Sequence, residues 1–127
     1  MKTLLSIILF ITLSISCFSQ TQIEMTIESD QSYKQADKEL NILYQKILKS
    51  YSTDTLFIQN LKKSQRLWIQ FRDAEVAVKY PVVEGSMYSM CVTSYLEQLT
   101  RQRIVTLKQW TDGVEEGDAC GGSVKMR

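Results

Sequence analysis

The side chains best suited to chemistry or recognition are concentrated in one stretch, Lys63 to Val78, KSQRLWIQFRDAEVAV. It brings Arg66, Trp68, Phe71, Arg72, Asp73 and Glu75 onto what reads as a single helix. Two carboxylates do acid–base work only when they converge on one reacting atom. Asp73 and Glu75 are two positions apart, so on a helix their side chains diverge by roughly 200°. The chain contains no histidine, which removes Ser-His-Asp and Cys-His nucleophile systems and His-based metal sites together. No catalytic, cofactor-binding or metal-ligating residue is therefore expected, and the chain reads as a binding protein rather than an enzyme.

Trp68, Phe71 and Arg72 allow two readings. Trp and Arg dominate interface energies, so the cluster could be a binding hot spot. Large aromatics at helical spacing are more often buried, and the core reading is favoured. An antiparallel partner helix turning at Ser52 would put Trp68 level with the small Ala36. It would also put Arg72 within reach of Asp37, where a guanidinium can bridge helices while its stem covers apolar surface. Trp68 and Phe71 are thus expected in the core, with Arg72 paired to Asp37.

The elements that would position these residues are all helical. Tyr33, Ala36, Leu40, Leu43, Tyr44, Ile47, Leu48 and Tyr51 fall at helical spacing. Thr21 with Glu24 and Ser32 with Gln35 each match a capping box, so this first helix starts at either place or bends between them. Thr53 or Asp54 opens the second helix. It carries Leu56, Leu61, Trp68, Phe71, Ala74, Glu75 and Val78 along one side and ends before Pro81. A third helix begins near Ser86 or Ser89 and carries Cys91, Tyr95, Leu99, Ile104, Leu107 and Trp110. No stretch alternates like a strand. The expected fold is all-α, an antiparallel three-helix bundle over residues 20–110, followed by a glycine-rich, flexible tail at 111–127.

The first residues, MKTLLSIILFITLSISCFSQ, combine a lysine, an apolar run from Leu4 to Ile15 and small polar residues. That is the pattern of a secretory signal peptide over residues 1–19, cleaved after Ser19. The apolar run is shorter than the ~20 residues a membrane span requires. A lipidated Cys17 is the rival reading, and only then would the protein meet a membrane; the residues before Cys17 fit it less well. The expected location is outside the cytoplasm, periplasmic or secreted. Removing Lys2 takes the formal charge from +1 to about neutral, leaving no basic excess for nucleic acid. Cys91 and Cys120 remain, and an even pair in an exported chain reads first as a disulfide. The tail is just long enough to carry Cys120 back along the third helix to Cys91, so an intrachain bridge is favoured over free thiols or a bridge between chains.

The segments ADKELNILYQKIL (Ala36 to Leu48) and SQRLWIQFRDAE (Ser64 to Glu75), together with CVTSYLEQLTRQRIVTL (Cys91 to Leu107), resemble the lysozyme inhibitor LprI-like family of small exported helical proteins. Members commonly have cysteines where Glu28 and Val76 stand here, and a second glycine in the loop where this chain has Gly85 alone. The resemblance implies a lysozyme-type hydrolase as partner, blocked by protein–protein contact. Under that implication the loop YPVVEGSMY is the best plug, with Tyr80, Glu84, Gly85, Ser86 and Tyr88 as candidate binding residues. The plainer reading is a helix connection in which Ser86 caps the third helix. A non-inhibitory envelope adaptor, or an immunity protein against a wall-degrading toxin, is the alternative function.

Overall fold

The computed structural model describes residues 2–127, with side chains from residue 21 onward. The expected leader, its cleavage after Ser19 and the alternative anchor at Cys17 fall outside the residues whose side chains are described. Three helices follow in order: α1 (Lys2–Ser50), α2 (Thr55–Lys79) and α3 (Tyr88–Asp112). Among the described residues there is no strand, only an isolated bridge between Val114 and Met126.

Local chemistry sets most of the boundaries. Asp54 sits in extended backbone before α2, and its carboxylate accepts a hydrogen bond from the Phe57 amide at 2.9 Å. Such a cap satisfies one of the amides a helix start leaves unpaired. Pro81 follows the last turn of α2 at Tyr80, as its restriction of the preceding residue requires. Two expectations are corrected. α1 runs through Thr21 and Ser32 without starting at either. Ser86 does not cap α3: Met87 holds the cap position and makes no side-chain cap bond.

Contacts between helices fix their directions. Ser29 meets Thr93 at 2.6 Å, Glu39 meets Arg101 at 3.4 Å, and the Tyr51 ring meets Trp110 at 6.2 Å, so α1 and α3 run the same way. Gln65 accepts from Arg103 and Glu75 from Tyr95, so α2 runs against α3. Small residues let α1 and α3 approach closely: Ala36 and Thr100 are both fully buried. The α1–α2 seam is much thinner than the α1–α3 one.

The core gathers toward the α1–α2 turn. Leu40, Ile47 and Tyr51 of α1 and its end meet Phe57 and Leu61 of α2 and Ile104 and Leu107 of α3. An aromatic triad closes this end of the molecule. Tyr51 and Phe57 stack with centroids 4.1 Å apart, and Trp110 sets its edge against Phe57 at 5.0 Å.

The buried face of α2 is the expected one at Leu61 and Trp68 only. Leu56, Phe71 and Val78 are 67%, 56% and 77% exposed, while Phe57, Leu61 and Gln65 are buried. Phe71 is therefore a surface residue, not a core one. The face is rotated by about one position, which turns Gln65 and Arg72 inward instead.

The tail also departs from expectation. Gly113 caps α3 at φ 75°, and the following residues form a closed loop. The Val114 amide donates to Lys125 O at 3.0 Å, and the Arg127 amide donates to Val114 O at 3.1 Å. Lys125 then fastens the loop to the end of α1. Its amide donates to Tyr51 Oη at 3.0 Å, and its ammonium lies over the Tyr51 ring and bonds Ser50. Residues 113–127 are thus a docked turn-rich segment held by hydrogen bonds rather than a loose extension.

Candidate functional site

The connection between α2 and α3 is an exposed loop. Pro81 through Ser86 are all exposed, and Val82 and Val83 present 57% and 76% of their surface to solvent. Gly85, at φ 85°, supplies the left-handed turn that brings the chain back toward α3. The base is firmer than the tip. Tyr80 sets its ring edge-on to Tyr88 at 6.4 Å and to Tyr95 at 6.1 Å. The Lys79 ammonium lies 3.8 Å from the Tyr95 ring centroid, and Tyr95 Oη donates to Glu75 at 3.4 Å. A cation held over a ring face and edge-to-face rings each contribute ~0.5–1.5 kcal/mol.

The candidate residues expected from the sequence fall at two levels of this loop. Glu84, Gly85 and Ser86 are exposed at the tip together with Val82 and Val83, whereas Tyr80 and Tyr88 are half-buried and brace it. Tyr95 and Lys79 belong to the same cluster and were not foreseen as site residues. The nearest signal was a tyrosine two helical turns into α3, on the side of Tyr88.

The Trp68 cluster has a different geometry from the one expected. Trp68 packs against the core, and two guanidiniums face its ring: Arg72 at 5.4 Å and Arg103 at 5.8 Å from the centroid. Arg72 pairs with its neighbour Asp73 at 2.8 Å and not with Asp37. Asp37 instead accepts from Asn41, one turn along α1. The thin α1–α2 seam explains this: with few backbone approaches between the two helices, Arg72 folds along α2 and over Trp68. Tyr33 lies close enough for the Arg72 charge to be felt. Burial pushes the Tyr33 phenol up, and the Arg72 guanidinium opposes that rise. Arg103 was not singled out in the sequence. Its Nε donates to the buried Gln65 at 3.1 Å and its Nη2 to Ser64 at 3.0 Å. Burial lowers its affinity for the proton, and no carboxylate counters that effect.

Cys91 and Cys120 are unbridged in this structure, so the expected bridge is not shown. They sit toward opposite ends of α3, with ~29 Å of helix between Cys91 and Trp110. The tail turns onto Tyr51 at the far end instead of running back. Among the described residues no group of Cys, Asp and Glu is arranged to hold a metal ion, and no helix is long and apolar enough to cross a membrane.

Residues 17–107 match the family described as Lysozyme inhibitor LprI. The chain belongs to that family. It is also similar to the uncharacterized protein R02472 of Rhizobium meliloti (strain 1021), 32% identical over 107 residues, covering 75% of this chain and 77% of that one. No solved structure matches the chain. The LprI match takes in the loop, the tyrosine base and the Trp68 cluster. Trp110 and the docked tail lie beyond its last residue.

Proposed function

We propose that this protein is an exported inhibitor that blocks a lysozyme-type muramidase by seating the 81–86 loop in the enzyme's cleft. The frame would be a bundle in which α2 runs antiparallel to α1 and α3 and presents the loop at one end. The single observation that carries the reading is the exposed Val82–Val83 tip on a braced tyrosine base. Lysozyme works through two carboxylates in an open cleft. The loop brings no cation to neutralise them, so its action is steric. An apolar tip excludes substrate and water, and a pre-braced base spares the ordering entropy that a floppy loop would lose on binding. LprI family membership supports the class of partner, and the signal-like N-terminal sequence supports export.

The test is the purified protein titrated into lysozyme turning over peptidoglycan, with calorimetry for direct binding. Saturable inhibition with a defined stoichiometry is expected. Val83→Asp should weaken it by about ten-fold or more, as loss of a central apolar contact does, while leaving the thermal midpoint unchanged. Inhibition that is absent against chicken-type and goose-type enzymes alike would favour the envelope adaptor. For that reading the exposed apolar row Leu67, Phe71 and Val78 on α2 offers a partner face.

A further inference from the structure

A concavity lies between α2 and α3 at the opposite end from the loop, with ~24 Å of helix separating Ser64 from Tyr80. Its volume is about 450 Å³, within the ~300–1,000 Å³ common for small-molecule sites. Phe57, Leu61, Leu107 and Trp110 give it an apolar wall, and Ser123 of the docked tail closes one side. Arg103 stands at the end marked by Ser64, and Asp54 at the other.

The chemistry of the lining is selective. Arg103 is the only cation in it, and its Nε and Nη2 are held by Gln65 and Ser64 while the guanidinium lies over Trp68. Among the described residues its Nη1 makes no hydrogen bond and no carboxylate pairs with it. A guanidinium fixed by a ring and two hydrogen bonds, with one nitrogen unengaged beside an apolar cleft, is pre-organised for an oxyanion. The Asp54 carboxylate is already engaged in capping α2, and its charge at the rim disfavours a dianion.

We infer that this groove is a binding site for a monocarboxylate with an apolar body, its carboxylate on Arg103 and its body against Phe57, Leu107 and Trp110. The occupant sits apart from the loop, so the site stands independently of whether the loop inhibits a muramidase. Because Ser123 lines the groove and Lys125 fastens the same segment to Tyr51, the occupied site also includes the tail. Ligand binding should therefore slow exchange of the Arg127 and Val114 amides that close the tail loop.

The experiment is a titration of the full mature chain with 4-phenylbutyrate, followed by Trp fluorescence and by the Trp110 indole N–H in NMR spectra. The neutral 4-phenyl-1-butanol and the dianion phenyl phosphate are run alongside. Saturable shifts at Trp110 are expected with the carboxylate, with affinity about ten-fold better than the alcohol and better than the phosphate. That ratio is what one charge-assisted hydrogen bond supplies. Arg103→Gln should remove the preference for carboxylate over alcohol. Thr106→Trp fills the cleft without touching the Arg103 contacts and should abolish binding; it decides the matter if Arg103→Gln folds poorly. No shift up to the solubility limit, equal binding of acid and alcohol, tighter binding of the phosphate, or full binding by Thr106→Trp would each overturn the assignment.

Discussion

At Gly113 the backbone takes a φ of 75°, and a methyl group added there would sit 2.8 Å from the Lys125 carbonyl oxygen. Both the left-handed conformation and the close approach exclude a side chain. Gly113→Ala is expected to cost about 1 kcal/mol or somewhat more, and to raise exchange of the Val114 and Arg127 amides before the helices melt. Chemical unfolding together with amide exchange separates the two effects. Equal protection of those amides in the variant would contradict the docking of the tail. A paired substitution tests the face of α2. Leu61 is 6% exposed within the core and Phe71 is 56% exposed. Leu61→Ala should therefore cost ~2–5 kcal/mol, and Phe71→Ser should stay within about 0.5 kcal/mol of the parent. A comparably large loss at Phe71 would restore the Phe71-inward face that the sequence suggested.

Among the elements, α2 shows best what periodicity can and cannot convey. Its ends were legible, because Asp54 and Pro81 act through their own backbone chemistry. Its buried face was not, because the helix carries two apolar rows: Phe57, Leu61 and Trp68, and Leu67, Phe71 and Val78. Spacing alone cannot rank such rows. The choice is made by α3, whose Arg103 gives Gln65 a partner and so lets a polar residue turn inward. The α1–α3 seam was equally hidden, since serines, threonines and an alanine look unremarkable until two helices approach through them. That seam should be sensitive to acid. Hydrogen bonds from Arg101 and then Ser32 hold the Glu97 carboxyl below the usual carboxylate range, with burial opposing. Arg101 also reaches Glu39 of α1 at 3.4 Å, so the Glu97 charge helps orient a contact between elements. A depressed folded-state value means that the stabilisation is present above the unfolded value of about 4.3. It is lost as pH falls through the lower folded value. Melting temperature should therefore drop on acidification below that point, and Glu97→Gln should flatten part of the drop. An unchanged acid slope in the variant would remove Glu97 from the seam's stability.

At the scale of the whole molecule, the two ends of the helices do different work. One end carries the tyrosine-braced loop; the other carries the core, the aromatic triad and the docked tail. The loop was legible because proline and glycine punctuate it. The tail was not, because three short-range turns, two bonds that close the loop at Val114 and one tyrosine hydroxyl hold it where composition suggests mobility. This division also decides the fate of the thiols. Cys91 lies half-buried near the start of α3, by the loop, and Cys120 is exposed on the tail at the other end. A bridge would have to pull the tail off Tyr51 and forfeit the contacts of Lys125 along with the loop closure at Val114. The intact protein should accordingly have the mass of the dithiol, and Cys120 should react with a thiol reagent well before Cys91. Replacing both cysteines by serine should leave stability within about 0.5 kcal/mol of the parent, where loss of a real bridge removes ~2–4 kcal/mol. A mass two hydrogens lower, with a large loss on reduction, would mean that the tail runs back along α3 after all. In that case the groove beside Trp110 would lose the wall that Ser123 provides.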